Sequence, residues 1–262
     1  MNVKRIHFLL VLLLISIGSF VFFNIQNGKD ASGPIRSAEP NWLVKKYGAK
    51  HFSQNDEELI IRDFFQDKRN GIFVDIGANH YKINSTTYYL ESDLGWNGIA
   101  VDAICDYKKE YELYRKNTLF FCFYISNRSD DMIDFYINEQ NKRISTSIQD
   151  LAIKQGNSAK VRIATITLND LLAQTGIKHL DFLSMDIELS EPAALAGFDI
   201  QKYSPSLVCI EAHNKVRKQI LEYFTKNNYL RIESYNGLDP LNYYFARGPE
   251  MPPSKTVNSR VN

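Results

Sequence analysis

Cysteine is scarce in this chain of 262 residues: three in all, an odd number, with no paired spacing. That excludes a disulfide-rich framework and a zinc site built from cysteine pairs. Cys122 and Cys209 sit inside apolar, strand-like runs and read as buried thiols, while Cys105 lies just past another such run. No sign of charge dominates: 31 Lys and Arg against 30 Asp and Glu give a formal net charge of +1. The electrostatic footprint of a nucleic-acid binder is missing, and no nucleic-acid partner is expected. The basic clusters, Lys108-Lys109 and Lys215 to Lys218, are short and read as solvated helix faces. No internal repeat is visible. The G-x-G-x-x-G turn of dinucleotide folds is absent too, because Ala78, Asn79 and His80 follow Gly77. That argues against a closely held pyrophosphate, and so against NAD or FAD.

One long hydrophobic run is present. Phe8 to Phe23 is apolar apart from Ser16, Gly18 and Ser19, and Lys4 and Arg5 precede it. Residues 1–23 therefore read as an N-terminal transmembrane helix of the uncleaved signal-anchor kind, since no good small-x-small cleavage site follows. The leading positive charges place the domain on the non-cytosolic, lumenal side, although Lys29 and Arg36 oppose that bias. Asn84-Ser85-Thr86 and Asn127-Arg128-Ser129 match glycosylation acceptors. Residues 24–50 lack periodicity and read as a linker, 51–248 as one globular domain and 249–262 as a flexible tail.

Within the domain, short apolar runs alternate with helical patterns. Ile72 to Ile76, Gly98 to Asp102, Leu119 to Ile125, Asp181 to Asp186 and Ser206 to Glu211 read as buried parallel strands. Asp134 to Ile137 alternates and suggests an added antiparallel strand. Asn55 with Glu58 signals a helix start, and Asn84 to Leu94 looks helical. Thr167 and Asp170 open a helix that Gly176 ends; Ser190 caps the helix Glu191 to Ala196. Asn214 to Asn227 is helical. Tyr229 to Ser234 and Asn242 to Ala246 close the sheet without room for a helix between them, which predicts an antiparallel edge strand. The expected class is α/β, a mostly parallel sheet covered on both faces.

In such a sheet Asp75, Asp102, Asp186 and Glu211 all end parallel strands and share one edge, where α/β folds bind ligands. Four acids repel one another, so a cationic or hydroxyl-rich ligand is implied. Asp102 is placed to accept hydrogen bonds from ribose hydroxyls. The central expectation is that Asp75, Gly77 and Asp102 converge on one pocket that grips a nucleoside-like ligand.

The ordered set Phe73-Val74-Asp75-Ile76-Gly77-Ala78, Asn84-Ser85-Thr86, Gly95-Trp96-Asn97-Gly98-Ile99 and Asp181-Phe182-Leu183-Ser184-Met185-Asp186-Ile187-Glu188 resembles the FkbM-type S-adenosylmethionine-dependent methyltransferases. Ser53-Gln54-Asn55 with Glu57 and Glu58 resembles the segment before that family's first strand. The likeness runs from about His51 to Arg247. It implies a Rossmann-like class I methyltransferase sandwich with a seven-stranded sheet, and S-adenosyl-L-methionine as cofactor. Carried over by position, Asp75, Gly77, Ala78 and Asn79 form the cofactor turn. Asp102 and Ala103 stand where the family usually has glutamate and proline and would hold the ribose. Ser126 approaches the adenine, and Asp186 lies near the methyl group. The family commonly shows glutamate-glycine-x-glutamate where this chain has Glu188-Leu189-Ser190-Glu191.

The implied reaction is O-methylation of a hydroxyl on a sugar or other small acceptor, with Glu188 as first candidate base and Glu211 and His213 next. His80 and Lys82 are placed to touch the acceptor. Asp186 and Glu188 form only a weak oxygen-ligand pattern, and no metal is expected. The alternative is a catalytically inactive, membrane-tethered binding or trafficking module, suggested by the altered glutamate segment. The sequence carries no signal for oligomeric state.

Overall fold

The computed structural model describes residues 41–249. The expected signal-anchor, the stretch up to Pro40 and the tail from Glu250 lie outside the described residues. Among the described residues no helix is long and apolar enough to cross a membrane.

The strands, in chain order, are β1 (Ile72–Ile76), β2 (Asn97–Asp102), β3 (Thr118–Cys122), β4 (Tyr124–Ile125), β5 (Met132–Ile137), β6 (Ala159–Ile166), β7 (Phe182–Met185), β8 (Leu207–Glu211), β9 (Tyr229–Arg231) and β10 (Asn242–Arg247). The helices are α1 (Trp42–Tyr47), α2 (Glu57–Phe65), α3 (Tyr88–Ser92), α4 (Lys108–Tyr114), α5 (Gln149–Gln155), α6 (Leu168–Thr175), α7 (Glu191–Ala196), α8 (Ile200–Tyr203) and α9 (Arg217–Lys226).

Seven strands form one sheet in the order β3-β2-β1-β7-β8-β10-β9. Each pairing from β3 to β8 is parallel, and β10 runs antiparallel to both its neighbours. The chain moves outward from β1 to β3 on one side, then from β7 onward on the other. The direction reverses between β1 and β7, and there a crevice opens beyond the strand ends.

Strand periodicity divides the core. Val74, Ile76, Val101, Leu183, Met185, Val208 and Ile210 face one side, with Leu171 and Leu172 of α6, Leu195 of α7 and Phe224 of α9. Phe73, Phe182, Leu207 and Tyr244 face the other, with Leu43 of α1, Leu59 and Ile60 of α2, and Trp96. Each fully buried side chain of this size contributes about 1.5–3 kcal/mol, so two covered faces hold the sheet by packing. The same alternation turns Asp75 and Ser184 toward the face of Phe73 and Phe182.

Several expectations are corrected. The run Leu119 to Ile125 is not one strand: β3 ends at Cys122 and β4 joins a second sheet of order β4-β6-β5. The expected strand at Asp134 lies in that small sheet, antiparallel to β6; β6, with Lys160 and Arg162 on its exposed side, showed no apolar run. The antiparallel strand β10 is not at the edge, because the chain places β9 outermost and returns between β9 and β8. Residues 42–47, assigned to the linker, form α1, which Asn41 caps through Leu43 N and which buries Leu43 completely. Asp56 rather than Asn55 precedes α2, without a side-chain cap bond; Ser53 Oγ accepts from Glu58 N while the Glu58 carboxylate accepts from His51 N and Phe52 N. Ser190 precedes α7 without a side-chain cap bond; its hydroxyl accepts from Tyr124 Oη instead. Cys122 is no free thiol, for it forms a disulfide with Cys105. Cys209 is buried and free, as read from the sequence.

Candidate active site

Gly77 sets the geometry at the end of β1. Its φ is +78°, a left-handed backbone that glycine adopts without steric cost. A Cβ there would sit 1.9 Å from the Asp186 carbonyl oxygen. The ends of β1 and β7 thus meet at van der Waals distance, and only glycine fits. Gly77 N and Ala78 N both donate to Val101 O, at 2.9 and 3.1 Å, and Asn79 N donates to Asp102 Oδ2 at 2.9 Å. The amides of this turn are already bonded to β2. They leave no cradle for a pyrophosphate, which agrees with the missing glycine fingerprint.

Two clefts meet at this point. The first, about 520 Å³ including space open to solvent, has apolar walls from Ile104, Phe123, Ile125 and Phe135 and is also lined by Asp102 and Ala103. The second, about 1160 Å³ on the same measure, is polar and carries Glu57, Asp75, Asp186, Glu188 and Glu211 beside the amides of Gln54, Asn84, Asn141 and Asn242. Gly77, Asn79, Arg143, Asp186 and Glu188 line both.

Asp102 is fixed from two sides: Oδ2 accepts from Asn79 N and Oδ1 from Ile104 N at 2.8 Å. Each oxygen keeps acceptor capacity for a hydroxyl. Burial pushes its pKa up to about 6, against the lowering effect of those two amides. A ribose diol therefore fits beside it, with a flat apolar base between Ile104, Phe123 and Phe135. The cation of S-adenosylmethionine fits where the clefts join, among the carboxylates of Asp186 and Glu188. The donor set suits this cofactor and does not suit a dinucleotide.

Asp75 is held away from the first cleft. Its Oδ2 accepts from Thr87 Oγ1 at 2.8 Å, and Thr87 Oγ1 lies 3.3 Å from Nη2 of Arg115. Arg115 is itself buried against Glu91. Burial raises the Asp75 pKa despite Thr87 and Arg115. Strand pleating decides this: Asp75 faces the second cleft, Gly77 both, and Asp102 the first. The three do not converge on one pocket as expected.

The acids of the second cleft perturb one another. Asp186 is open to water within the cleft, yet protein encloses it enough that burial, then Glu211, push its pKa up to about 7. Glu188 reaches about 7 through burial and Asp186, and Glu211 about 7 through burial, Glu191 and Glu188. Near neutrality these carboxyls are only partly ionised, a state suited to taking up a proton. Arg143, from the 3-10 turn Lys142–Ile144, is the cation that lowers the values at both Asp186 and Glu188. Its guanidinium donates to Gln54 Oε1 across the cleft.

The glutamate segment keeps an unusual backbone. Glu188 and Leu189 have φ of +54° and +74°. Leu189 adopts the left-handed conformation natural to the glycine that the FkbM pattern carries there, at a cost of about 1–2 kcal/mol. The turn is preserved although the glycine is gone. Glu191 is fully buried; its Oε1 accepts from Ile187 N at 3.0 Å, which anchors the turn, while Oε2 has no partner.

Other expected residues lie elsewhere. Ala78 lines the second cleft, and Ala103 the first. Ser126 lines neither: it packs its carbonyl against Gly197, and its amide donates to Ile166 O. His213 is exposed at the start of α9, where Nδ1 accepts from Lys215 N at 3.3 Å. His80 Nδ1 accepts from Lys82 N and Ile83 N, and Lys82 lies over the rings of Phe52 and Tyr88. Among the described residues no group of three or more His, Cys, Asp or Glu could hold a metal ion. Sequence reasoning missed Arg143, Glu57, Phe123 and Phe135 as site residues. Glu57 stood in a quoted motif without a role, and a single arginine in a loop offers no periodic signal.

Comparison with known proteins agrees with the expected family. The methyltransferase FkbM domain matches residues 75–231. No curated protein matches the chain. Among solved structures, a precorrin-6y C5,15-methyltransferase from Geobacter metallireducens is 9% identical over 77% of this chain and 93% of its own, with a TM-score of 0.44. A TehB-like S-adenosylmethionine-dependent methyltransferase from Corynebacterium glutamicum is 12% identical over 78% and 92%, with a TM-score of 0.42. The 1,6-didemethyltoxoflavin-N1-methyltransferase of Burkholderia thailandensis, solved with S-adenosylhomocysteine, is 10% identical over 74% and 77%, with a TM-score of 0.39. The strand order, the crevice between β1 and β7 and the matched domain lead to one conclusion: this chain belongs to the FkbM family of S-adenosylmethionine-dependent methyltransferases.

Proposed function

We propose that the chain methylates a hydroxyl on a sugar or other small neutral acceptor. The observation that carries this reading is the junction of the two clefts at Gly77, Asp186 and Glu188. One cleft suits an adenosine and the other a hydrogen-bonding acceptor. When bound, the cofactor supplies an already activated methyl group. Asp102 holds the ribose hydroxyls, and Ile104, Phe123 and Phe135 exclude water from the base. Amides of Asn84, Asn141 and Asn242 orient the acceptor's hydroxyls, which matters because transfer requires aligned approach. Glu188 takes the acceptor's proton and Glu211, coupled to it electrostatically, is the reserve base. His213, exposed and outside both clefts, has no part in this scheme.

The domain's placement on a lumenal or extracellular side, tethered by residues 8–23, is part of the proposal. The Cys105–Cys122 disulfide supports it, because such bonds persist in oxidising compartments. Protease protection of the C-terminal end in sealed vesicles tests it; digestion from the cytosolic side would refute it.

Incubation with cofactor and panels of neutral glycans and hydroxylated metabolites, read by mass spectrometry, tests the reaction. The expected product gains one CH2 at oxygen, and Glu188→Gln lowers its yield by at least about a hundredfold, on the order expected for a lost general base. A product methylated at nitrogen or carbon would overturn the choice of acceptor. A folded chain that binds cofactor without turning over any acceptor would favour the binding-module reading.

A further inference from the structure

The disulfide stands at a particular place. Cys105 opens the 3-10 turn Cys105–Tyr107, three positions after Asp102. Cys122 ends β3 and is the register partner of Asp102 on the neighbouring strand. Their Cα atoms are 5.1 Å apart, at a sequence separation of 17. Immediately before Cys105 come Asp102, Ala103 and Ile104, one wall of the first cleft. Immediately after Cys122 come Phe123, Tyr124 and Ile125, which also line it. A single covalent bond therefore ties together two segments that line the cleft assigned above to adenosine.

The sheet does little at this spot. β3 is the outermost strand on its side, so it pairs only with β2. The chain leaves the sheet at Cys122 and enters the small sheet two residues later. Beyond Asp102 and Cys122 no ladder bonds continue between these walls. The disulfide takes over where the hydrogen bonds stop. Stability alone does not account for it, since the core on both sheet faces is extensive and such bonds are usually needed only by domains too small to build one. Cys105 is exposed and Cys122 half-buried, so a reductant can reach the bond.

We propose that Cys105 and Cys122 are positioning residues for the cofactor: their disulfide holds the Asp102–Ile104 wall and the Phe123–Ile125 wall at binding separation. The proposal rests on the reading of the first cleft as the adenosine pocket. Preorganisation of this kind raises affinity by removing the cost of ordering the site. Reduction gives two thiols, frees the Asp102 wall to move away from Phe123 and weakens binding of the adenosine part. The acceptor cleft draws its acids and amides from the ends of β1, β7 and β8, from α2 and from the 3-10 turn at Lys142, and is not spanned by the bond.

The test uses the purified full chain prepared without reductant. Alkylation before and after treatment with a water-soluble phosphine, which breaks the S–S bond to two thiols as it takes up oxygen from water, counts free thiols by mass. Calorimetry then measures S-adenosylmethionine, S-adenosylhomocysteine and adenosine on the oxidised chain, the reduced chain and Cys105→Ser. The expected result is one free thiol before reduction, and a loss of affinity on the order of tenfold, equal for all three ligands, with unchanged circular dichroism. Acceptor KM should not move. Three free thiols before reduction, equal affinity in the folded reduced chain, or a loss accompanied by unfolding in both the reduced chain and Cys105→Ser would each overturn the staple. An oxidised, folded chain that binds none of the three ligands would overturn the adenosine reading itself, and the staple with it.

Discussion

The two clefts at the end of the sheet are built on opposite physical terms. The first has apolar walls, and the carboxylate it does not share with the second, Asp102, is tied down by two backbone amides. A disulfide spans its walls. The second is crowded with acids held near neutrality by burial and mutual repulsion, and Arg143 is its cation. In the proposed function the first recognises the cofactor and the second exchanges a proton with the acceptor. The two share only Gly77, Asn79, Arg143, Asp186 and Glu188.

The most drastic way to break the distinction is to remove the shared pivot. Gly77→Ala would drive a Cβ into the Asp186 carbonyl and force a left-handed φ on alanine. We expect a loss of about 4 kcal/mol or more, seen as a collapse of the urea midpoint, with both clefts lost together. A stable Gly77→Ala domain would mean that β1 and β7 are not in such close contact.

Glu188→Gln should separate the clefts instead. The kcat should fall by roughly 10²–10⁴, the range for a lost general base, while the calorimetric affinity for cofactor changes little. Asp102→Ala should do the reverse. Losing a charged acceptor costs about 1.5–3 kcal/mol, so cofactor Kd should rise by roughly ten- to a hundredfold while acceptor KM holds. If the two variants gave the same pattern, the division of labour would be wrong.

Acidity sharpens the contrast further. Asp186, Glu188 and Glu211 have folded-state pKa values of about 7, above the roughly 4 of an unfolded carboxyl. The folded state therefore binds extra protons between those limits. The stability they contribute is complete at low pH and is lost as pH rises through about 7. The melting temperature should fall by a few degrees between about pH 5 and pH 8, while kcat rises as Glu188 deprotonates. The melting temperature of Glu188→Gln should depend less on pH; a wild-type profile that rises with pH would contradict the arrangement. The smallest effect is reserved for His213→Ala. That imidazole is exposed and only accepts from Lys215 N in the turn before α9, so kcat and KM should stay within about twofold, as for other exposed positions away from the site.

Much of this was legible because buried parallel strands must be continuously apolar. Ile72–Ile76 and Phe182–Met185 stand out for that reason, and the acids beyond them mark the ligand edge. β6 was not legible, since one face is exposed and Lys160 and Arg162 interrupt its apolar pattern. Nor was the role of Asp75. From the sequence it looks equivalent to Asp102, but a buried Thr87–Arg115 network holds it. The Cys105–Cys122 pairing escaped notice because the two residues sit on different elements with no motif between them.

The sequence by itself determined the class of sheet, its binding edge and the family, because burial on two faces and a glycine turn leave a local imprint along the chain. Only the tertiary structure decided which acid serves which cleft, how Arg143 reaches the site and why two of three cysteines bond. Those outcomes depend on strand pleat, on register and on loops brought together from distant positions, and a linear pattern carries none of that geometry.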